Sequence, residues 1–253
     1  MIVTDSFIYI HMPKTGGTFV TKILEQLYSK RDKPGLWPRL RRRLSGNPKF
    51  ISLNKHGYCF QIPSAYSHLP VFGCIRNPYD RYVSQYTFGW WLTHPNDFPG
   101  LMEHPRYPNL GFEDFVYLAN EKWNDVGRLG LTDGNSSLGW HSTAFITYYC
   151  NEPANILMRA KIGSISSDEI RDSLRTQVLL ETHKLNTDLY DYLIAQGFSE
   201  SELSFVLTTG KIMPREGGRT ANQHWERYYT PNLKSYVRER ERVLFDLFPQ
   251  FDI

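Results

Sequence analysis

Ser6-Phe7-Ile8-Tyr9-Ile10-His11-Met12-Pro13-Lys14-Thr15-Gly16-Gly17-Thr18-Phe19 is the stretch on which the fold turns. Its first five residues are apolar, aromatic or β-branched, which predicts a short buried strand. After the turn, Phe19, Ile23, Leu24 and Leu27 recur at helical spacing, so a helix follows. Strand, glycine-containing turn and helix together open an α/β unit. The two glycines let backbone N–H groups approach an anion closely, and the helix N-terminus adds a favourable dipole. Lys14 brings a full positive charge, and Thr15 and Thr18 bring hydroxyl donors. A Gly-Gly turn by itself is only a tight connection; the lysine and two threonines make this one a candidate anion site. It is not a Walker loop, where the lysine follows the glycines, and no magnesium-binding partner motif accompanies it.

Outward from this stretch, Phe50-Ile51-Ser52-Leu53 reads as a second strand and Val71-Phe72-Gly73-Cys74-Ile75 as a third. Pro78 suits the first turn of a helix through Tyr82, Val83 and Tyr86. Residues 90–109 are rich in Pro, Trp and His without periodicity and read as a long surface excursion. Helical patterns return over 112–123 and 140–149, a further strand over 177–181 and a helix over 187–196, closed by Gly197. Residues 210–223 read as a Gly-rich basic loop. Thr230 caps and Pro231 starts a last helix running to Leu247. Strands alternating with helices predict an α/β fold with a mainly parallel central sheet covered on both faces. Such sheets bind ligands at the carboxyl ends of their strands, where the candidate motifs of this sequence fall. With no internal repeat, one domain over residues 1–253 is the economical reading.

The formal net charge of +3 is too small to argue for nucleic acid. Lys30, Arg31, Lys33, Arg39, Arg41, Arg42 and Arg43 nevertheless crowd into one short stretch. It is either a solvated basic loop or a flap that attracts an anionic ligand or a membrane face. Cys59, Cys74 and Cys150 form no CxxC pair, which argues against a disulfide framework or a zinc site. His94, His104, His141 and His224 lack metal-ligand spacing, so no metal is expected. The opening residues make no convincing signal peptide, and no apolar run reaches the ~18 residues of a membrane span. A cytoplasmic location is the expectation. Asn135-Ser136-Ser137 matches a glycosylation acceptor, which carries little weight without an export signal.

A second chemical motif is Arg76-Asn77-Pro78-Tyr79-Asp80-Arg81-Tyr82-Val83-Ser84. Arg76 sits at a strand end and is able to grip a phosphate with a planar fork, with Ser84 adding a hydroxyl two turns on. The alternative is that Arg76 and Arg81 merely pair with carboxylates. His56, with Lys55, follows the second strand and opens toward the same cleft as Lys14; an imidazole there suits a general base. His11 directly precedes the loop and either orients it or reacts.

Together the two motifs resemble the PAPS-dependent sulfotransferases, PAPS being 3′-phosphoadenosine 5′-phosphosulfate. The Pro13–Thr18 turn is similar to that family's 5′-phosphosulfate loop, and Arg76-Asn77-Pro78 with Arg81 and Ser84 is similar to its 3′-phosphate site. The resemblance is strong over residues 7–18 and 71–86 and weaker over 178–189 and 219–248. It is nearest to the branch with glycan sulfotransferases of the heparan sulfate 2-O type and related bacterial enzymes. It implies a P-loop-like three-layer domain in which Lys14, Thr15, Gly16, Gly17 and Thr18 hold the donor's 5′ end and Arg76 and Ser84 its 3′-phosphate. Arg219 and Thr220, beside Gly217-Gly218, are candidates for a loop closing over the nucleotide. His56 would be the base and Lys14 the group at the bridging oxygen, with no metal. The acceptor would be a hydroxyl-bearing carbohydrate, lipid or small molecule, with a peripheral membrane contact through Arg39–Arg43 and no nucleic-acid partner. A P-loop kinase or nucleotide hydrolase, a nucleotide-binding scaffold without catalysis and, on the arginine cluster alone, a nucleic-acid binder are the competing readings.

Overall fold

A computed structural model of the chain describes residues 1–31, 50–123, 138–161, 165–210, 212 and 224–253. The chain divides into two compact units, Met1–Ile75 with Thr176–Pro214, and Arg76–Arg175 with Arg215–Ile253.

Among the described residues, the first unit holds five strands: β1 (Ile2–Thr4), β2 (Ile8–Tyr9), β3 (Phe50–Ser52), β4 (Val71–Ile75) and β5 (Val178–Glu181). They form one mixed sheet in the order β3-β1-β2-β4-β5. β2, β4 and β5 are mutually parallel, with Tyr9 beside Phe72 and Gly73 beside Leu179. β1 is antiparallel to both its neighbours, so β3 runs in the direction of β2. The carboxyl ends of β3, β2, β4 and β5 therefore share one edge. The sheet thus belongs to an α/β fold with a parallel centre, as expected, but its flank is an antiparallel hairpin. β1 was missed by sequence reasoning, because a three-residue strand with two apolar side chains is too short to show a period. A turn in which the Thr4 hydroxyl accepts from the Phe7 amide (2.9 Å) folds β1 onto β2.

Every residue of β4 is buried, as its unbroken apolar run requires. On one face Tyr9, Phe72, Cys74 and Leu180 pack on Phe19, Val20, Ile23, Leu24 and Leu27 of α1 (Gly17–Arg31). Leu189, Tyr192 and Leu193 of a helix at Leu185–Ala195, and Leu203 and Val206 of another at Glu200–Thr208, complete that core.

The second unit is helical. Its first helix, Pro78–Phe88, starts where the Asn77 side chain accepts from the Tyr79 amide (2.9 Å) and ends at Gly89, φ 71°. The helix at Trp140–Tyr149 is buried on every side from His141 onward, its polar His141, Ser142, Thr143 and Thr147 included. Other helices occupy Phe112–Lys122, Pro153–Lys161 and Ser167–Asp172. The helix expected from Pro231 to Leu247 is two, Pro231–Arg240 and Arg242–Leu247, broken at the fully buried Glu241. The excursion at 90–109 contains only a short helix at Trp90–Thr93 and a single 3₁₀ turn at Pro95–Asp97. Among the described residues, no helix is long and apolar enough to cross a membrane.

Candidate active site

In the first unit the chain leaves β2 through His11 and Met12 and enters α1 at Gly17. Between them Lys14 has φ 66° and Gly16 φ 87°. Left-handed backbone is ordinary for glycine but strained for lysine, and such strain concentrates at functional sites. The turn is stitched from within and from outside. The Thr15 hydroxyl donates to the Met12 carbonyl (2.8 Å), and the Thr182 hydroxyl lies 3.0 Å from the Thr15 carbonyl. Thr15 is fully buried, and its hydroxyl is engaged within the turn. Thr18 is partly exposed at the start of α1, where the amides of a first helical turn have no acceptor within the helix.

Close packing explains both glycines. A Cβ on Gly16 would lie 2.5 Å from Leu185 Cδ2, and one on Gly17 would run into the His11 ring. His11 thus lies against the start of α1, only 6% exposed. Burial, then His56, then Lys55, push its imidazole down to about 3, so it is neutral at pH 7.

His56 arrives from the carboxyl end of β3, and its Nδ1 lies 3.1 Å from the His11 carbonyl. A carbonyl oxygen only accepts, so Nδ1 carries the proton and Nε2 is the basic nitrogen of the neutral ring. The two imidazoles meet edge to face at 4.9 Å. Because β3 runs in the direction of β2, the residues that follow both strands, Lys14 and His56 among them, leave one edge of the sheet.

In the second unit the Arg76 Nε donates to Asp80 Oδ2 at 2.6 Å, an i, i+4 pair, with the side chains 14% and 22% exposed. Ser84, two turns on, is 9% exposed. Arg81 is nearly inaccessible; burial pushes its guanidinium down while Glu241 pulls it back. The carboxylate-pairing alternative thus describes one edge of Arg76, while the buried Arg81 feels the charge of Glu241. Arg219, Thr220 and Arg39–Arg43 lie outside the described residues. Thr182 was missed, although its place directly after β5, at a strand's carboxyl end, was the available signal.

The neutral state of His11 has a thermodynamic consequence. The native group holds no proton between about pH 6.5 and about 3, while the unfolded chain takes one up. Its contribution to stability is complete above about pH 6.5 and is lost progressively as pH falls toward 3, with a limiting slope of ~1.4 kcal/mol per pH unit. His141, fully buried in the second unit, shifts in the same direction. Urea unfolding of the His11→Gln variant is therefore expected to show a shallower acid dependence than the parent between pH 7 and 4.5. Parallel curves would mean that His11 is protonated in the fold.

Residues 1–153, which carry the loop, His56, Arg76 and Ser84, match the family described as the sulfotransferase family. No curated protein and no solved structure matches the chain. The match covers more than half of the 253 residues and includes the Pro13–Thr18 turn and the Arg76–Ser84 stretch with the strands that lead to them: the chain belongs to the sulfotransferase family.

Proposed function

We propose that the chain, acting as one domain over residues 1–253, transfers a sulfuryl group from PAPS to an acceptor hydroxyl. The observation that carries this reading is the pairing, in one unit, of a strained Lys14 turn with a histidine whose Nε2 is the basic nitrogen. Lys14, Gly16, Gly17 and Thr18 take the 5′ phosphosulfate, and Arg76 and Ser84 take the 3′-phosphate. In the transfer His56 Nε2 accepts the proton of the acceptor O–H as that oxygen forms its bond to sulfur. The bond from sulfur to the bridging oxygen breaks in line, and the electron pair leaves on the phosphate of 3′-phosphoadenosine 5′-phosphate (PAP). Lys14 and the amides of the first helical turn stabilise that developing charge. The acceptor is an alcohol, with a glycan, a lipid or a small molecule all compatible with the chemistry. A cytoplasmic setting belongs to the same reading.

Calorimetric titration with PAP, compared with AMP and with magnesium-ATP, tests the donor assignment. Micromolar or tighter PAP binding that depends on the 3′-phosphate is expected; preference for magnesium-ATP would replace the reading by a kinase or hydrolase. Arg76→Ala is expected to weaken PAP by about 1.5–3 kcal/mol, the worth of charge-assisted hydrogen bonds, and to leave AMP almost unchanged. Equal losses for PAP and AMP, or none, would remove Arg76 from the 3′-phosphate.

A further inference from the structure

Thr182 stands at the carboxyl end of β5 and opens the 3₁₀ turn Thr182–Lys184. Its hydroxyl lies 3.0 Å from the Thr15 carbonyl and 3.0 Å from the Ile75 carbonyl. One hydroxyl hydrogen serves both acceptors, a three-centre bond. Its methyl is turned to the same loop: a Cβ on Gly16 would lie 3.6 Å from Thr182 Cγ2. Thr15 is the residue after the left-handed Lys14 and is tied on its own side to Met12. Lys14 therefore sits in a turn held by two threonine hydroxyls, one inside the loop and one from β5. A non-glycine residue keeps such a conformation only where its surroundings over-determine it. Ile75, the other acceptor, ends β4 and directly precedes Arg76 in the chain.

We infer that Thr182 is a positioning residue of the donor loop: it holds the backbone that carries Lys14 and acts through Lys14 without touching the donor. The inference rests on the reading of that loop as the 5′-phosphosulfate site. Valine at 182 keeps the methyl and removes the hydroxyl, whereas serine does the reverse.

In the ligand-free protein, amides of residues 14–18 are expected to exchange hydrogen about tenfold faster in Thr182→Val, the loss of about one hydrogen bond, with β1 and β3 amides unchanged. Thr182→Ser should match the parent. By calorimetry PAP should bind about tenfold more weakly to Thr182→Val and within about twofold of the parent to Thr182→Ser. In a Lys14→Ala background the valine substitution should cost less than about twofold further, because the two residues act as a unit. Unchanged exchange at 14–18, or full additivity with Lys14→Ala, would overturn the inference while leaving the donor reading intact. Failure of the parent protein to bind PAP would overturn both. Where Thr182→Val does not fold, Thr182→Ala removes the same hydroxyl and decides by the same criteria.

Discussion

His56→Ala is expected to lower kcat by roughly 10²–10⁴-fold while PAP affinity stays within about twofold, the pattern of a lost general base. The argument starts from one hydrogen bond. Because the His11 carbonyl fixes the proton on Nδ1, the ring presents Nε2 in the tautomer that takes a proton from an alcohol. His11, its ring 4.9 Å away, is held neutral chiefly by burial, so the imidazolium formed during transfer does not meet a second charged imidazole. His56→Gln separates chemistry from scaffolding. The glutamine amide is able to donate to the same carbonyl but is no base. Both variants should be equally slow with any acceptor alcohol the enzyme takes, and added imidazole should partly restore His56→Ala. Near-parental turnover in His56→Gln would make the residue a strut, and near-parental turnover in His56→Ala would remove it from the mechanism.

The turn between β2 and α1 was legible because its information is local. An apolar strand, two glycines, a lysine and a helix-period run sit within a few residues of one another, and β4 keeps its predicted bounds of Val71–Ile75. What was illegible depends on contacts distant in sequence. Thr15 and Thr182 illustrate this as a pair. The hydroxyl that sequence reading assigned to the anion bonds Met12 three residues back, as short polar side chains readily do, and the hydroxyl that secures the loop comes from 167 residues away. His56 reaches the His11 carbonyl for a reason only the topology states: β1 lies between β2 and β3 and reverses the chain twice, so both carboxyl ends reach one edge. In Arg238-Glu239-Arg240-Glu241-Arg242 nothing local marks the second glutamate, which is fully buried where the helix expected to run to Leu247 breaks.

That glutamate carries the other large prediction: Glu241→Ala is expected to destabilise the second unit by about 3–5 kcal/mol, the usual cost of removing one partner from a buried charged network. Glu241 Oε1 accepts from the Tyr82 hydroxyl at 2.5 Å and the His141 amide at 2.9 Å. Its Oε2 accepts from the Ser142 amide and hydroxyl, both at 2.7 Å. The carboxylate thereby caps the buried helix Trp140–Tyr149, whose first amides have no acceptor within the helix. It also offsets the buried charge of Arg81 and, after burial itself, is what raises the Tyr82 phenol. Gly139 belongs to the same device, since a Cβ there would lie 2.4 Å from Glu241 Cδ. Alanine at 241 leaves the His141 and Ser142 amides and the Ser142 hydroxyl without their acceptor and removes the negative charge that acts on Arg81, a loss comparable with the 5–15 kcal/mol total stability of an ordinary domain. Glu241→Gln keeps the shape but turns an amide N–H₂ toward donors, and should fall between the parent and alanine. Urea unfolding followed by circular dichroism, with hydrogen exchange at 140–149, measures the effect. A Glu241→Ala midpoint near that of the parent, with those amides still protected, would mean that water replaces the carboxylate and that the cap is dispensable.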